Sequence, residues 1–148
     1  MVAHRRAVTD ALLVMLRATT TPDARPLRIG DHRAPEPAED EETPETPFAV
    51  LRSIGGPELT GSAWANPHTD ARNDYRLTSV GDNRRSAEAL ADAIRDAILG
   101  VGANGYTKAI TPTGAHVIDR EMLTAGPATQ EGVWWNVADD YSLRATSA

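Results

Sequence analysis

Histidine stands beside or near a carboxylate three times: Asp31-His32, His68 with Asp70, and His116 with Asp119. An imidazole and a carboxylate held together can run general acid–base chemistry, and three or four such groups converging can hold a metal ion. These three pairs lie in separate stretches of the chain, so the spacing reads as scattered surface polarity. A small hydrolase built on His116 and Asp119 is the rival from a different class. Ser53, Ser62, Ser79 and Ser86 sit in no nucleophile-elbow pattern. The run Gly100-Val101-Gly102-Ala103-Asn104-Gly105 superficially resembles a phosphate-binding loop. That fingerprint follows a strand and opens a helix, whereas this run follows a predicted helix and reads as a flexible connector. The expectation is a protein that is not an enzyme, with no catalytic, cofactor-binding or metal-binding residue.

Composition narrows the class further. The 148 residues contain no cysteine, which removes disulfides, thiolate zinc sites and cysteine nucleophiles together and is compatible with a reducing cytoplasm. The formal net charge of −6 is concentrated between Pro35 and Pro47, which holds Glu36, Glu39, Asp40, Glu41, Glu42 and Glu45 and no basic residue. The rest of the chain is close to neutral, so nothing draws it to a phosphate backbone in general. Prolines and carboxylates at this density cannot pack, and residues 34–47 read as a mobile or disordered acidic loop inside one domain spanning 1–148. The apolar run Ala11–Leu16 is too short for a signal peptide, and no stretch reaches the length of a membrane helix. A soluble protein is expected.

The elements follow from periodicity. Val8, Leu12 and Met15/Leu16 predict a helix from Ala3 to Ala18, stopped by Thr19-Thr20-Thr21-Pro22. Leu27–Ile29 is a candidate strand, and Phe48–Ile54 another, stopped by Gly55-Gly56-Pro57. A long loop is expected from Gly55 to about Asp70, anchored by Trp64. Asp74–Val80 predicts the best strand, with Tyr75, Leu77 and Ser79 on one face and Arg76, Thr78 and Val80 on the other. A second helix runs from Asn83 to Leu99, with Asp82 as its predicted N-cap and Gly100 as a left-handed stop. His116–Arg120 and residues within Gly132–Thr146 supply two more strands. The consecutive Trp134 and Trp135 must point to opposite faces, so only one can enter the core; the other covers an edge, meets a partner or stays exposed. Together these predict a two-layer α+β domain: a mostly antiparallel or mixed sheet of about four strands, with two helices packed on one face.

One stretch carries a resemblance. Trp64-Ala65-Asn66-Pro67, then Asp74 through Gly81, then Ser86 through Gly100 resemble the tail terminator proteins of long-tailed (siphovirus-type) actinobacterial phages. In those proteins a proline-bearing loop precedes a strand ending in a tyrosine-x-x-threonine-serine-valine-glycine run, followed by an alanine/leucine/aspartate-patterned helix. The amino-terminal helix, the Phe48 strand and the Asp140-Tyr141 pair also fit; the acidic insertion is no part of the pattern. The resemblance implies a virion protein of the neck, assembled in the host cytoplasm. It implies a ring, hexameric in this family, that ends tail-tube polymerisation and provides the surface for head–tail joining. The implied partners are further copies of itself, the tail tube protein and a head-completion or connector protein, with DNA only passing through the lumen. Tyr75, Arg76, Arg84, Arg85, Trp64 and Trp135 are the candidate subunit or tube contacts, and no cofactor is expected. Another head–tail connector or head-completion protein is the nearest alternative. A stand-alone regulatory or antitoxin-like domain is disfavoured by the missing basic face.

Overall fold

The computed structural model of the chain describes residues 5–21, 25–37, 39–60 and 70–147, with side chains described for all of these but 56–60 and 147. Along the chain come α1 (Arg5–Arg17), β1 (Ile29–Asp31), β2 (Phe48–Thr60), β3 (Asp70–Gly81), α2 (Arg84–Leu99), β4 (Val101–Gly102), β5 (Gly105–Tyr106), β6 (Ala115–Glu131) and β7 (Trp134–Ser147). Five strands form one mixed sheet in the order β1-β2-β3-β7-β6, in which only β1 and β2 run parallel; β4 and β5 form a separate two-stranded ribbon. The α+β layering is as expected, with one more strand in the main sheet than the four anticipated.

Strand alternation divides the sheet into two faces. Ala49, Leu51, Tyr75, Leu77, Tyr141, Leu143 and Ala145 turn toward the helices and form one cluster with Val8, Leu12 and Leu16 of α1 and Leu90, Ile94 and Ile98 of α2. Each fully buried leucine or isoleucine contributes roughly 1.5–3 kcal/mol, so this side holds most of the domain's stability. α2 is capped at its start by Asn83, whose Oδ1 accepts from Ser86 N at 2.8 Å. The cap is therefore Asn83 and not Asp82, which instead bonds the Thr46 hydroxyl. Gly100 is not left-handed either (φ −57°). Glycine is required there because a Cβ would lie 2.3 Å from Asp96 O.

Other boundaries also moved. The first small strand is Ile29–Asp31, shifted from Leu27–Ile29. β2 does not stop at Gly55; it continues to Thr60 through two register irregularities, at Ser53/Gly55 and Gly55/Glu58. A bulge absorbs an extra residue without ending the ladder, which is how the strand survives its glycines. The expected connector at 100–105 is the tight β4–β5 ribbon, turned by Gly105 at φ +100°. The largest difference is the β6–β7 hairpin: β6 runs to Glu131, far beyond Arg120, through three bulges. At the third, Gly126 is obligatory, since a Cβ would meet Ala138 O at 2.2 Å.

Trp134 and Trp135 do face opposite ways, and both are half-buried. Trp135 packs on the helix side with Ala87, Ala91 and Val137. Trp134 builds a second, smaller core on the helix-free face with Phe48, Val50 and Val80, its ring edge-on to Phe48 at 5.6 Å. The single-core expectation is corrected: both tryptophans serve this chain's own packing.

The hydroxyl of Tyr75, wholly buried, bonds Thr9 Oγ1 at 3.0 Å, while Thr9 donates to Arg5 O. Tyr75→Phe is expected to lower unfolding stability by about 1 kcal/mol, the net worth of one neutral hydrogen bond. Burial pushes the Tyr75 phenol up to about 12, so the unfolded chain ionises first and stability falls as pH rises from about 10. Urea denaturation at pH 7 and above pH 10 checks both effects. A variant as stable as the parent at pH 7, with an undiminished alkaline loss, would contradict this account.

Candidate functional site

The described residues do not assemble the acid–base pairs into a site. His32 Nε2 lies 3.6 Å from Asp31 Oδ1, but that carboxylate also takes a 2.8 Å hydrogen bond from Arg6. His116 and Asp119 share one face of the edge strand β6 with no hydrogen bond between them among the described residues; Asp119 Oδ1 accepts from Arg120 N. His68 lies outside the described residues. No group of three or more potential metal ligands occurs among the described residues. No described helix is long and apolar enough to cross a membrane.

A desolvated carboxylate lies between α2 and the bulged part of β6. Asp139 of β7 is 6% exposed and accepts from Gly126 N at 2.9 Å. Burial holds its carboxyl above the usual range, opposed by that backbone hydrogen bond and by Arg95. It borders a cleft of about 380 Å³ with Arg84, Asp92 and Arg95 from α2. Next to it the Tyr141 hydroxyl is buried without a hydrogen-bond partner among the described residues, and burial raises its pKa. No serine, threonine or cysteine is among the described residues that line this cleft. What it visibly does is hold the bulge at Gly126, and with it the outward path of β6. A sequence scan for paired catalytic groups passes over Asp139, because its partner is a main-chain N–H.

The proposed contact residues divide. Tyr75 is wholly buried and belongs to the core, so its side chain can meet no partner subunit or tube. Trp135 packs under α2. Trp64 lies outside the described residues. Arg76 is on the helix-free face, bound bidentately to Asp140 at 2.9 and 3.1 Å. Arg84 pairs with Glu88 four residues on, at 2.8 Å, whereas Arg85 is exposed with no ion pair to a described residue.

The helix-free face carries an ordered charge pattern. Arg52 of β2 stands directly across from Arg76 of β3, and Arg72 of β3 across from Arg144 of β7. Like charges in opposed positions weaken a sheet; here Asp140 and Asp74 lie among them, and Asp74 holds Arg72 at 3.1 Å. Toward β6 the sign reverses. Asp119 and Glu121 pair in register with Arg144 and Ser142. The face is thus basic at the β2 side around Arg52 and acidic at the β6 side around Asp119 and Glu121, while farther along β2 Glu58 stands in register with Arg72.

No family model and no curated protein sequence matches the chain. Its fold does have solved counterparts. A chain in the structure titled "Virion of native gene transfer agent (GTA) particle" superposes with a TM-score of 0.56 at 15% identity, covering 98% of this chain and 96% of that one. A second solved chain gives a TM-score of 0.52 at 19% identity with the same coverages. At these identities the likeness concerns the fold alone, over nearly the whole of each chain.

Asp139→Asn keeps the acceptor for Gly126 N and removes the desolvated charge. A carboxyl whose folded pKa is raised favours folding when protonated, and that stability is lost as pH rises through the unfolded and then the folded pKa. The variant is therefore expected to melt at a higher temperature than the parent at pH 7–8, with the gain shrinking in acid. Thermal melts across pH 4–8 read this directly. A gain independent of pH would show that the charge is not the cause.

Proposed function

We propose that the chain is a structural component of a phage-like particle: a tail terminator that forms a hexameric ring at the end of the tail tube. In that role it halts tube polymerisation and offers the surface on which the head is joined. The observation that carries this reading is the end-to-end fold likeness to a chain of a gene transfer agent virion, to which the Trp64–Gly100 resemblance adds the terminator assignment. Such a role needs surfaces and no turnover. It needs a heterologous side-to-side contact that closes, and two end faces, one for the tail tube protein and one for a head-completion or connector protein. The protein would reside in the virion neck after assembly in the host cytoplasm, with DNA passing through the ring unread.

Two local features are assigned within this reading. Arg85, exposed at the start of α2, reaches a neighbouring subunit or the tube, while Arg84 is tied to Glu88. In the acidic segment, residues 34–37 and 39–44 are a mobile fringe held at its end, where Glu45 meets Arg25 and Arg28 at 3.0 and 2.7 Å. Hydrogen exchange should accordingly be fast through 39–44. Slow exchange there would mean that the segment is ordered.

The decisive experiment is removal of the gene from its particle-producing genome, followed by electron microscopy. The expected result is tubes of uncontrolled length that fail to join heads, with one six-fold layer between tube and connector in the parent particle. Tubes of normal length that still fail to join would move the protein to a head-completion role. Arg85→Glu is expected to reduce joined particles about tenfold or more, the scale of losing a favourable interfacial charge.

A further inference from the structure

The sheet has two open edges, and they match each other. β1 pairs with β2 only over Ala49–Leu51, so from Arg52 onward no described strand covers the outer side of β2. At the other end of the sheet, β6 has β7 on one side and no described strand on the other. Each edge displays an apolar residue that a bulge has pushed out of the ladder. On β2 it is Ile54, 41% exposed, between Ser53 and Gly55; on β6 they are Ile118 and Leu123, 45% and 39% exposed. Exposed aliphatic side chains on unpaired edges invite strand pairing, and monomers normally blunt such edges with charge or cover.

The charges beside these residues have opposite sign. Arg52 is exposed and makes no ion pair or hydrogen bond with a described residue, although its cross-strand neighbour Arg76 takes both oxygens of Asp140. Asp119 and Glu121 stand between the two apolar bulges of β6, on the same helix-free side. Direction agrees as well. β2 is antiparallel to β3, β3 to β7 and β7 to β6, so β2 and β6 run oppositely. A second copy rotated about an axis along the sheet would bring its β2 antiparallel to this copy's β6, the better-bonded arrangement.

We infer that the β2 edge of one copy docks on the β6 edge of the next, with Arg52 against Asp119 and Glu121 and Ile54 against Ile118. The contact is heterologous: it uses two different surfaces, so repetition closes a ring or grows a filament. The bulges confine strand pairing to the stretch around Asp119–Met122, which keeps the contact short and its register defined. The inference rests on the ring reading above and supplies its lateral contact.

The absence of native cysteine gives a direct test on the full chain. Ile54→Cys with Ile118→Cys in one chain should give, on mild oxidation, a ladder of covalent multimers on a non-reducing gel. Ile118→Cys paired instead with Val101→Cys, which lies on the separate ribbon, should give none. Arg52→Glu should weaken self-association at least tenfold by light scattering across protein concentrations, and adding Asp119→Lys with Glu121→Lys should restore it. Parent and restored variant should have the same circular dichroism as Arg52→Glu, which excludes misfolding as the cause. A chain that stays monomeric at every concentration and forms no ladder overturns the inference. So does an oligomer indifferent to Arg52→Glu, although that result leaves the ring reading intact. A ladder that extends without stopping at a fixed mass supports the edge contact and counts against the closed ring.

Discussion

The two central strands, β3 and β7, lie side by side over their whole length and can bury only one set of alternating side chains under the helices. From that alternation the rest follows. Tyr75, Leu77, Tyr141 and Leu143 form the floor on which α1 and α2 sit, so the residues between them are committed to the opposite face. There Arg72, Asp74, Arg76, Asp140 and Arg144 replace the apolar set, and only the end nearest Phe48 is dry. One helix layer suffices for a domain of this size because the other face satisfies its charges within the sheet.

The parts that local spacing controls were legible in the residues. α2 was readable because Ala87, Leu90, Ile94 and Ile98 recur along one helical face, and no competing pattern overlaps them. The faces of β3 were readable because a clean period of two survives from Tyr75 to Val80. Its outer turns were less so: Asp70–Asn73 are strand because β7 pairs with them at Leu143–Thr146, a contact over 70 residues away in the chain. β6 was the least legible element. Glu121–Glu131 has little apolar alternation and contains Gly126-Pro127, yet β7 supplies a continuous ladder and the bulges absorb the misfit. Here tertiary pairing overrides local propensity.

The candidate contact residues illustrate the same limit. Tyr75 looked available because an aromatic on a polar strand can serve an interface, but its face was decided by Leu77 and by the α1 residue Thr9 that meets its hydroxyl. Trp134 and Trp135 were rightly split between faces; what local spacing could not show was Phe48, 86 residues earlier, waiting on the helix-free side. Arg84 and Arg85 are adjacent in the chain but differ in circumstance, because only Arg84 has a carboxylate four residues on that its side chain meets.

Total charge concealed the surface's organisation in a similar way. Outside 35–47 the acids and bases nearly cancel, and a sum of zero is compatible with a featureless surface. On the sheet the same residues are sorted, Arg52 and Arg76 on the β2 side and Asp119 and Glu121 on the β6 side. A surface of net zero charge with its two signs on opposite edges is neutral toward a phosphate backbone and complementary toward a copy of itself. Edge strands normally defend against pairing by carrying one repelling charge. In the proposed edge contact, Arg52 on one edge and Asp119 with Glu121 on the other would disfavour β2–β2 and β6–β6 contacts while permitting β2–β6. That is the selectivity a head-to-tail assembly requires, since like-edge pairing would close dimers and end growth.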